Sequence, residues 1–387
     1  MRNIKTIIKS IELVDIEQLG NNWKTNKIKP HSLHNICSRV CSFPPSLPSY
    51  FIRKFSEEGD VILDPWSGKG TVPFEALRNK RVGIGNDRSP DAFVLTHAKV
   101  RPVGFYSLKK YLLVVKKKVN ATDLAKDLTE LDKKAKIFYS EKTFNQVRKL
   151  REVLMNDNSD EGIFIKAIIL GILHGISLDS LSLRCSHSYS MSPNYVKKYA
   201  RIHHLKRPSR NVFMCVLNKA KKVLEDPLPE IKGVALNDES GNIGLESESV
   251  NMILGSPPYF DVQTYAWCNW LRLWFLGYDY KEVKRNLSES GSEIKYREFM
   301  TDSIKELYRV LRYGGRCFIV VGDVKRSIKG GFKMINTAEF ILPLLLKEGF
   351  DVEKIVVDKI PPQKRVMSYI KKGNGIEKER MIYLKKL

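Results

Sequence analysis

At 387 residues, with 43% apolar and 28% charged residues, the chain has the size and make-up of one large α/β domain with an insertion, or of two domains, around a sizeable core. Its 66 Lys and Arg against 43 Asp and Glu leave a net charge of +23, which points first to a polyanion such as nucleic acid, ahead of a merely Lys-rich surface or a membrane surface. Acidic residues interrupt "MRNIKTIIKSIELVDIEQ" where an export signal needs a continuous apolar stretch, and the apolar run at 163–176 contains Lys166 and is too short to span a bilayer, so a cytoplasmic location is expected.

In chain order, the first element to stand out is "VILD" at 61–64, a short β-branched run read as a buried strand. It leads into "PWSGKGTVPFEAL". There Gly68 and Gly70 make a tight turn whose backbone can approach a ligand, and a helix follows from Thr71 to Lys80 with Pro73 in its first turn. "GKGT" is not a phosphate-cradling P-loop, because Gly70 stands where that motif needs Ser or Thr after the lysine. A second strand, "RVGIGND" at 81–87, ends on Asp87, 23 residues beyond Asp64. That is the usual place for an acid that takes ribose hydroxyls.

About 145 residues separate this strand from the third, far more than a crossover needs, so residues 100–231 are read as a mostly helical insertion. From Val196 to Leu224 it carries nine Lys or Arg and no acid, interleaved with Tyr195, Tyr199, His203, His204 and Phe213. Such a stretch suits a nucleic acid backbone and unstacked bases, and it nominates Tyr195, Lys197, Lys198, Arg201, Lys206, Arg207 and Arg210 as nucleic-acid-binding residues, against the blander reading of a solvated helix face. The six cysteines are read mainly as small buried hydrophobes. Cys37, Cys41, Cys185, His187, His203 and His204 fit no common zinc spacing, so no metal site is expected.

The third strand, "GVALND" at 233–238, ends with Asn237 and Asp238 beside the place of an adenine; the fourth, "VNMILGS" at 250–256, runs directly into Pro257, Pro258 and Tyr259. "FDVQTYAWCNWLRLWFLG" behind it is read as a packed helix, with no catalytic role for Tyr265 or Trp267. Strands at 316–324, 352–360 and 380–387 complete a set of seven. A helix from Tyr296 to Tyr313, closed by Gly314 and Gly315, and another from Asn336 to Glu348, closed by Gly349, separate the later strands. The last two strands lack a connecting helix and are expected to pair as an antiparallel hairpin at one edge. Strands alternating with helices predict a parallel, doubly wound sheet.

Three of these segments, "LDPWSGKGT", "GIGND" and "GSPPY", together resemble the class I, S-adenosylmethionine-dependent DNA amino-methyltransferases, and "CSRVCSFPPSLPSYFIRKF" at 37–55 resembles the segment those enzymes place ahead of the cofactor turn. The resemblance implies a Rossmann-like, doubly wound, seven-stranded methyltransferase sheet. Residues 1–99 would form its first part, 100–231 a helical, basic target-recognition insertion, and 232–387 its second part. It implies S-adenosyl-L-methionine as cofactor, held by Phe43, Asp64, Pro65, Trp66, Gly68, Gly70, Thr71, Asp87 and Asp238, and a catalytic loop of Ser256, Pro257, Pro258 and Tyr259. Trp66 stands where the family has Phe, and Lys69 where it has a small residue. No C-terminal recognition domain is expected after the last strand, so base reading would fall to the insertion, with the loop at 284–296 as a second candidate.

The chemistry accounts for the two prolines. An exocyclic amino nitrogen is a poor nucleophile, so an enzyme must accept its N–H hydrogens and aim its lone pair; Ser256 Oγ and the Pro257 carbonyl are the acceptors nominated, held rigid because proline fixes φ and lacks an N–H. Tyr259 would stack on a base flipped out of duplex DNA. Ser before Pro-Pro-Tyr tilts the expectation towards cytosine N4 over adenine N6. An RNA amino-methyltransferase and a non-catalytic nucleic-acid binder of the same fold are the alternatives. A nicotinamide dehydrogenase is disfavoured, since Gly-x-Gly-x-x-Gly is absent and the fourth strand offers no acid or base. The family also implies the modification role in a restriction–modification system, with a cognate endonuclease as companion.

Overall fold

The computed structural model describes residues 8, 10–39, 42–185, 192–260, 265–287, 292–328, 331–361 and 376–387. Cys41 and His187 of the rejected zinc grouping, residues 288–291 of the 284–296 loop and most of the connector between the last two strands lie outside them.

The strands are β1 (Leu13–Asp15), β2 (Val61–Asp64), β3 (Val82–Asn86), β4 (Val234–Leu236), β5 (Val250–Gly255), β6 (Leu311–Gly322), β7 (Val324–Ile328), β8 (Gly331–Ile335), β9 (Phe350–Lys359) and β10 (Lys378–Lys386). All seven expected strands form, and β1 joins them to make an eight-stranded sheet in the order β1-β9-β10-β6-β5-β2-β3-β4. From β6 to β4 every pairing is parallel. The chain returns to the middle of the sheet at β2, which pairs with β3 on one side and β5 on the other. Such a switch in winding direction opens a crevice at the carboxyl ends of the strands.

Fourteen helices are described: α1 (Ser46–Phe55), α2 (Thr71–Arg78), α3 (Pro90–Val100), α4 (Phe105–Ala121), α5 (Glu130–Lys136), α6 (Glu141–Leu154), α7 (Asp160–Ile172), α8 (Pro193–Ile202), α9 (Val212–Val223), α10 (Tyr265–Cys268), α11 (Trp270–Phe275), α12 (Tyr280–Asn286), α13 (Glu293–Val310) and α14 (Thr337–Glu348). The period-2 alternation of the strands divides the core between the two faces of the sheet. Ile62, Met252, Leu254, Phe318 and Val320 pack towards α1 and Trp23. Leu63, Ile253, Cys317, Ile319 and Val321 pack towards α13 and α14. Helices α4 to α9 fill the long gap between β3 and β4, and their apolar residues form one core with Phe74, α3 and the tryptophans of α11.

Two expectations are corrected and one element is new. β10 is not at an edge: it pairs antiparallel with both β9 and β6, because Met381 to Leu384 are buried and need a neighbour on each side. The helix expected to reach Tyr313 stops at Val310, and the Gly314-Gly315 pair lies inside β6 instead of closing a helix. An antiparallel hairpin, β7–β8, was not foreseen. The 336–348 helix is as expected, with the Asn336 side chain accepting from Glu339 N–H at its start and Gly349 left-handed at its end.

Candidate functional site

The site is assembled from four strand ends. At the end of β2, the Trp66 N–H donates to Asp64 Oδ1 (3.1 Å), the Ser67 N–H to the Asn86 carbonyl (2.8 Å) and the Gly70 N–H to the Ser67 carbonyl (2.7 Å). Gly68 and Gly70 both take left-handed backbone, at φ 57° and 69°. Their roles differ. A Cβ on Gly68 would meet nothing within 4 Å, so only its φ demands glycine, whereas a Cβ on Gly70 would stand 2.8 Å from Thr96 Cα. Gly70 is therefore a packing residue that starts α2, and it does not line the cavity described below.

At the end of β3, the Asp87 carboxylate accepts from Gly68 N–H (2.8 Å) and Ser89 N–H (2.9 Å), tying the glycine turn to the next strand. Asn86 is fully buried and clasps three elements: its Nδ2 donates to the carbonyls of Pro65 and Asp238, and its Oδ1 accepts from Asp238 N–H. From β4, the Asn237 side chain donates to the Asp87 carbonyl (2.6 Å) and Asp238 Oδ2 accepts from Gly244 N–H (3.1 Å). At the end of β5 comes the Ser256–Tyr259 loop. The Tyr259 hydroxyl donates to Glu379 Oε1 of β10 (3.2 Å), so the strand threaded into the sheet interior also braces the loop.

These parts enclose one cavity of about 760 Å³, within the range of small-ligand sites. Phe43, Asp64, Pro65, Trp66, Gly68, Thr71, Asp87 and Asp238 line it, and so do Ser256, Pro257, Pro258 and Tyr259; of the thirteen nominated cofactor and catalytic residues only Gly70 is absent. Arg39, Ser42, Ser67, Lys69 and Asn86 add to the wall near the glycine turn. Tyr265, Lys284, Arg285, Glu298, Phe299 and Asp302 belong to it as well. Tyr265 thus faces the cavity, while Trp270 and Trp274 behind it are buried as the packed-helix reading expected.

Burial pushes the carboxyls of Asp64 and Asp87 above their ordinary value, Asp64 furthest; each also feels the field of a neighbouring acid. Lys69 is pushed the other way by the same cause. Trp66 Nε1 and Thr71 Oγ1 are buried without a hydrogen-bond partner among the described residues. A cavity with acids awaiting a cation or hydroxyls, an aromatic wall and unused donors fits a nucleoside that bears positive charge, as S-adenosylmethionine does. Beneath the turn lies a buried network: His34 Nε2 meets Glu75 Oε1 at 2.7 Å, Arg78 donates to the same oxygen, and Lys99 lies 3.5 Å from His34 Nδ1. Burial, with help from neighbouring cations, holds His34 and Lys99 far below their ordinary values, and the network ties α2 to the Ser32–Asn35 turn and to α3.

None of the seven nominated nucleic-acid residues lines the cavity. On α8, Val196 and Ala200 are buried while Lys197, Lys198 and Arg201 are exposed, and Tyr195 stacks on Tyr199 with ring centroids 5.9 Å apart. Lys206 is exposed too. The last two are partly committed inward: Arg207 Nε donates to the Ile137 carbonyl (2.7 Å), and Arg210 is half-buried with Nε shielded from solvent. Among the described residues no cluster of three His, Cys, Asp or Glu could hold a metal, and no helix is long and apolar enough to cross a membrane.

Residues 8–98 match the N6/N4 DNA methylase family. Among curated proteins, the type II methyltransferase M.MjaII of Methanocaldococcus jannaschii is 30% identical over 89 residues, which is 23% of this chain and 17% of that protein. M.MjaI of the same organism is 47% identical over 47 residues (12% and 16% of the two chains), and the type II beta methyltransferase M.BslI of a Bacillus species is 34% identical over 58 (15% and 6%). The matches span less than a fifth of each relative. Among solved structures, a SAM-dependent methyltransferase from Methanosarcina mazei overlaps 89% of this chain and 99% of its own at 10% identity and a TM-score of 0.37. TrmN from Thermus thermophilus overlaps 92% and 52% at 12% identity and 0.33. Overlaps that loose identify no function.

Proposed function

We propose that this chain, whose residues 8–98 match the N6/N4 DNA methylase family, transfers a methyl group from S-adenosylmethionine to the exocyclic amino group of a base in duplex DNA, cytosine N4 ahead of adenine N6. One observation carries the reading: the glycine turn with Asp87 and the Ser256-Pro-Pro-Tyr loop, about 190 residues apart, line the same cavity.

Bound S-adenosylmethionine supplies an electrophilic methyl carbon. Asp87 takes the ribose hydroxyls, Asp238 borders the adenine, and Phe43 and Trp66 provide apolar walls. Ser256 Oγ and the Pro257 carbonyl accept the N–H hydrogens of the target amino group, leaving its lone pair aimed at the donor. Pro257 and Pro258 present no N–H of their own to compete. Tyr259, moored to Glu379, offers its ring to a base turned out of the helix. The preference for cytosine rests on Ser256 in the first position of the loop. In a cell the enzyme would serve as the modification partner of an endonuclease that cuts the same site, in keeping with the type II methyltransferases it resembles.

The test is incubation of the full chain with methyl-labelled S-adenosylmethionine and unmethylated duplex DNA, followed by nucleoside chromatography. N4-methylcytosine is the expected product. N6-methyladenine would keep the enzyme class and overturn the base; label confined to RNA, or on cytosine carbon 5, would overturn the substrate.

A further inference from the structure

Among the described residues, β7 and β8 pair only with each other, and neither strand lines the cavity. A two-stranded ribbon is marginally stable by itself in water. Its root, by contrast, is held firmly. Thr337 Oγ1 donates to the Gly322 carbonyl (2.7 Å), the Asp323 N–H donates to the Lys378 carbonyl (2.9 Å), and Arg380 grips the Asp323 carboxylate through two bonds of 2.8 and 2.9 Å. That root adjoins the Ser256–Tyr259 loop: β6 runs past Ile319, the partner of Gly255, as far as Gly322, and a Cβ on Gly322 would stand 3.0 Å from the Tyr259 ring. The ribbon is therefore anchored at the carboxyl edge of the sheet, where the crevice opens.

Its charge is all of one sign. β7 carries Lys325 and Arg326 and β8 carries Lys333, with no acid on either strand. The register sets Arg326 directly opposite Lys333. Like charges so placed repel, so the ribbon pairs against its own charge, and a polyanion would relieve it. Lysine on a strand edge also keeps other chains from pairing there, but that role does not call for two cations set against each other. Each strand has five residues, about 16 Å at roughly 3.3 Å per residue, which exceeds the ~8.5 Å depth of the major groove of B-form DNA, a groove that admits a two-stranded ribbon. The major groove of A-form RNA is too narrow for one. We infer that the β7–β8 ribbon enters the major groove of duplex DNA beside the target base, with Lys325, Arg326 and Lys333 meeting the phosphates along it. The inference rests on the proposed function, which brings a base of duplex DNA to Tyr259, and it adds the element that holds the duplex next to that loop.

The test titrates the full chain with a fluorescent DNA duplex over a range of salt concentrations. Lys325→Gln, Arg326→Gln and Lys333→Gln together should flatten the logarithmic salt dependence by about 3 and leave the affinity for S-adenosylmethionine unchanged. An unchanged slope overturns the inference. Changing the same three residues to Glu separates DNA binding from edge protection, because a glutamate guards an edge as a lysine does. That variant should keep its oligomeric size and bind DNA more weakly still; unaltered DNA binding leaves edge protection alone and overturns the groove contact. An equal loss of affinity for duplex RNA also overturns it. Unmutated protein provides an arm that depends on no variant folding: amide hydrogen exchange in β7 and β8 should slow when duplex DNA is added, and unchanged exchange overturns the contact. Should such protein still methylate duplex DNA, the proposed function stands and the ribbon alone loses its role; protein that binds no duplex DNA overturns both.

Discussion

The cavity and helix α8 use charge in opposite ways. In the cavity, the side chains of Asp64 and Arg39 are nearly sealed from solvent and Asp87 and Lys69 are partly buried; burial shifts Asp64, Asp87 and Lys69 and leaves Arg39 Nη1 without a partner among the described residues. On α8, Lys197, Lys198 and Arg201 stand in solvent, while Pro193, Val196 and Ala200 are buried and Tyr199 packs partly against the core. A buried polar group left without a partner costs roughly 1–3 kcal/mol, whereas an exposed ion pair contributes about 0–1 kcal/mol and is screened by salt. Few residues in the cavity should therefore have large, ligand-specific effects, and many on the insertion small, additive, salt-dependent ones.

The largest effect is expected from the chemistry. Ser256→Ala removes one of the two proposed acceptors for the target amino group and should lower kcat by about 10²- to 10³-fold while cofactor affinity, read by calorimetry, stays put. A wild-type kcat in that variant would remove Ser256 from the reaction. Next, Asp87→Ala should weaken cofactor binding by about 10- to 100-fold, because it deletes the proposed ribose acceptor and frees the Gly68 N–H. If Asp87 served only the turn, thermal stability would fall with no loss of affinity beyond it.

Acidity should separate the two regions further. Burial raises the folded-state values of Asp64 and Asp87 above the ordinary 3.8, so the folded protein binds these protons more tightly than the unfolded chain. The stability this gives is present below about 3.8 and is lost as pH rises through the raised values. A cationic nucleoside should restore it, so the rise in Tm on adding S-adenosylmethionine should be larger at pH 8 than at pH 5. A pH-independent rise would show that neither acid meets the ligand. The smallest effect belongs to α8: Lys197→Glu with Arg201→Glu should flatten the logarithmic salt dependence of DNA binding by about 2 and leave cofactor affinity intact. An unchanged slope would strip the helix of its proposed role.

How legible the site was depended on the reach of each signal. Asp64, Gly68 and Asp87 could be read because strand, turn and strand follow one another within 30 residues and their backbone demands are local. Arg39 could not. In sequence it is one more basic residue in a basic chain, and its standing comes from Asp87, Asp91 and the cavity closing around it. Gly70 was nominated for ligand approach, and its close packing on Thr96, 26 positions away, is a second demand for glycine there that the sequence did not show. The helix end at Val310 was missed because Gly314-Gly315 is a general breaker of regular structure, and here it marks a shift in the pairing of β6 with β5 within one strand. Glu379 gave no sign of meeting Tyr259, since that contact exists only because β10 lies beside β6.

The sequence alone determined the seven strands of the doubly wound sheet, through apolar runs of strand length bounded by turn residues, and the two loops that line its crevice. Tertiary structure decided which strand is interior, which buried charges lack partners and which of the insertion's cations stay in solvent. Hydrophobic period and backbone φ preference act over a few residues and are written in them. Burial, ion pairing and the enclosure of a cavity depend on neighbours as far as the 334 positions between Lys24 and Asp358, and exist only once the chain has closed.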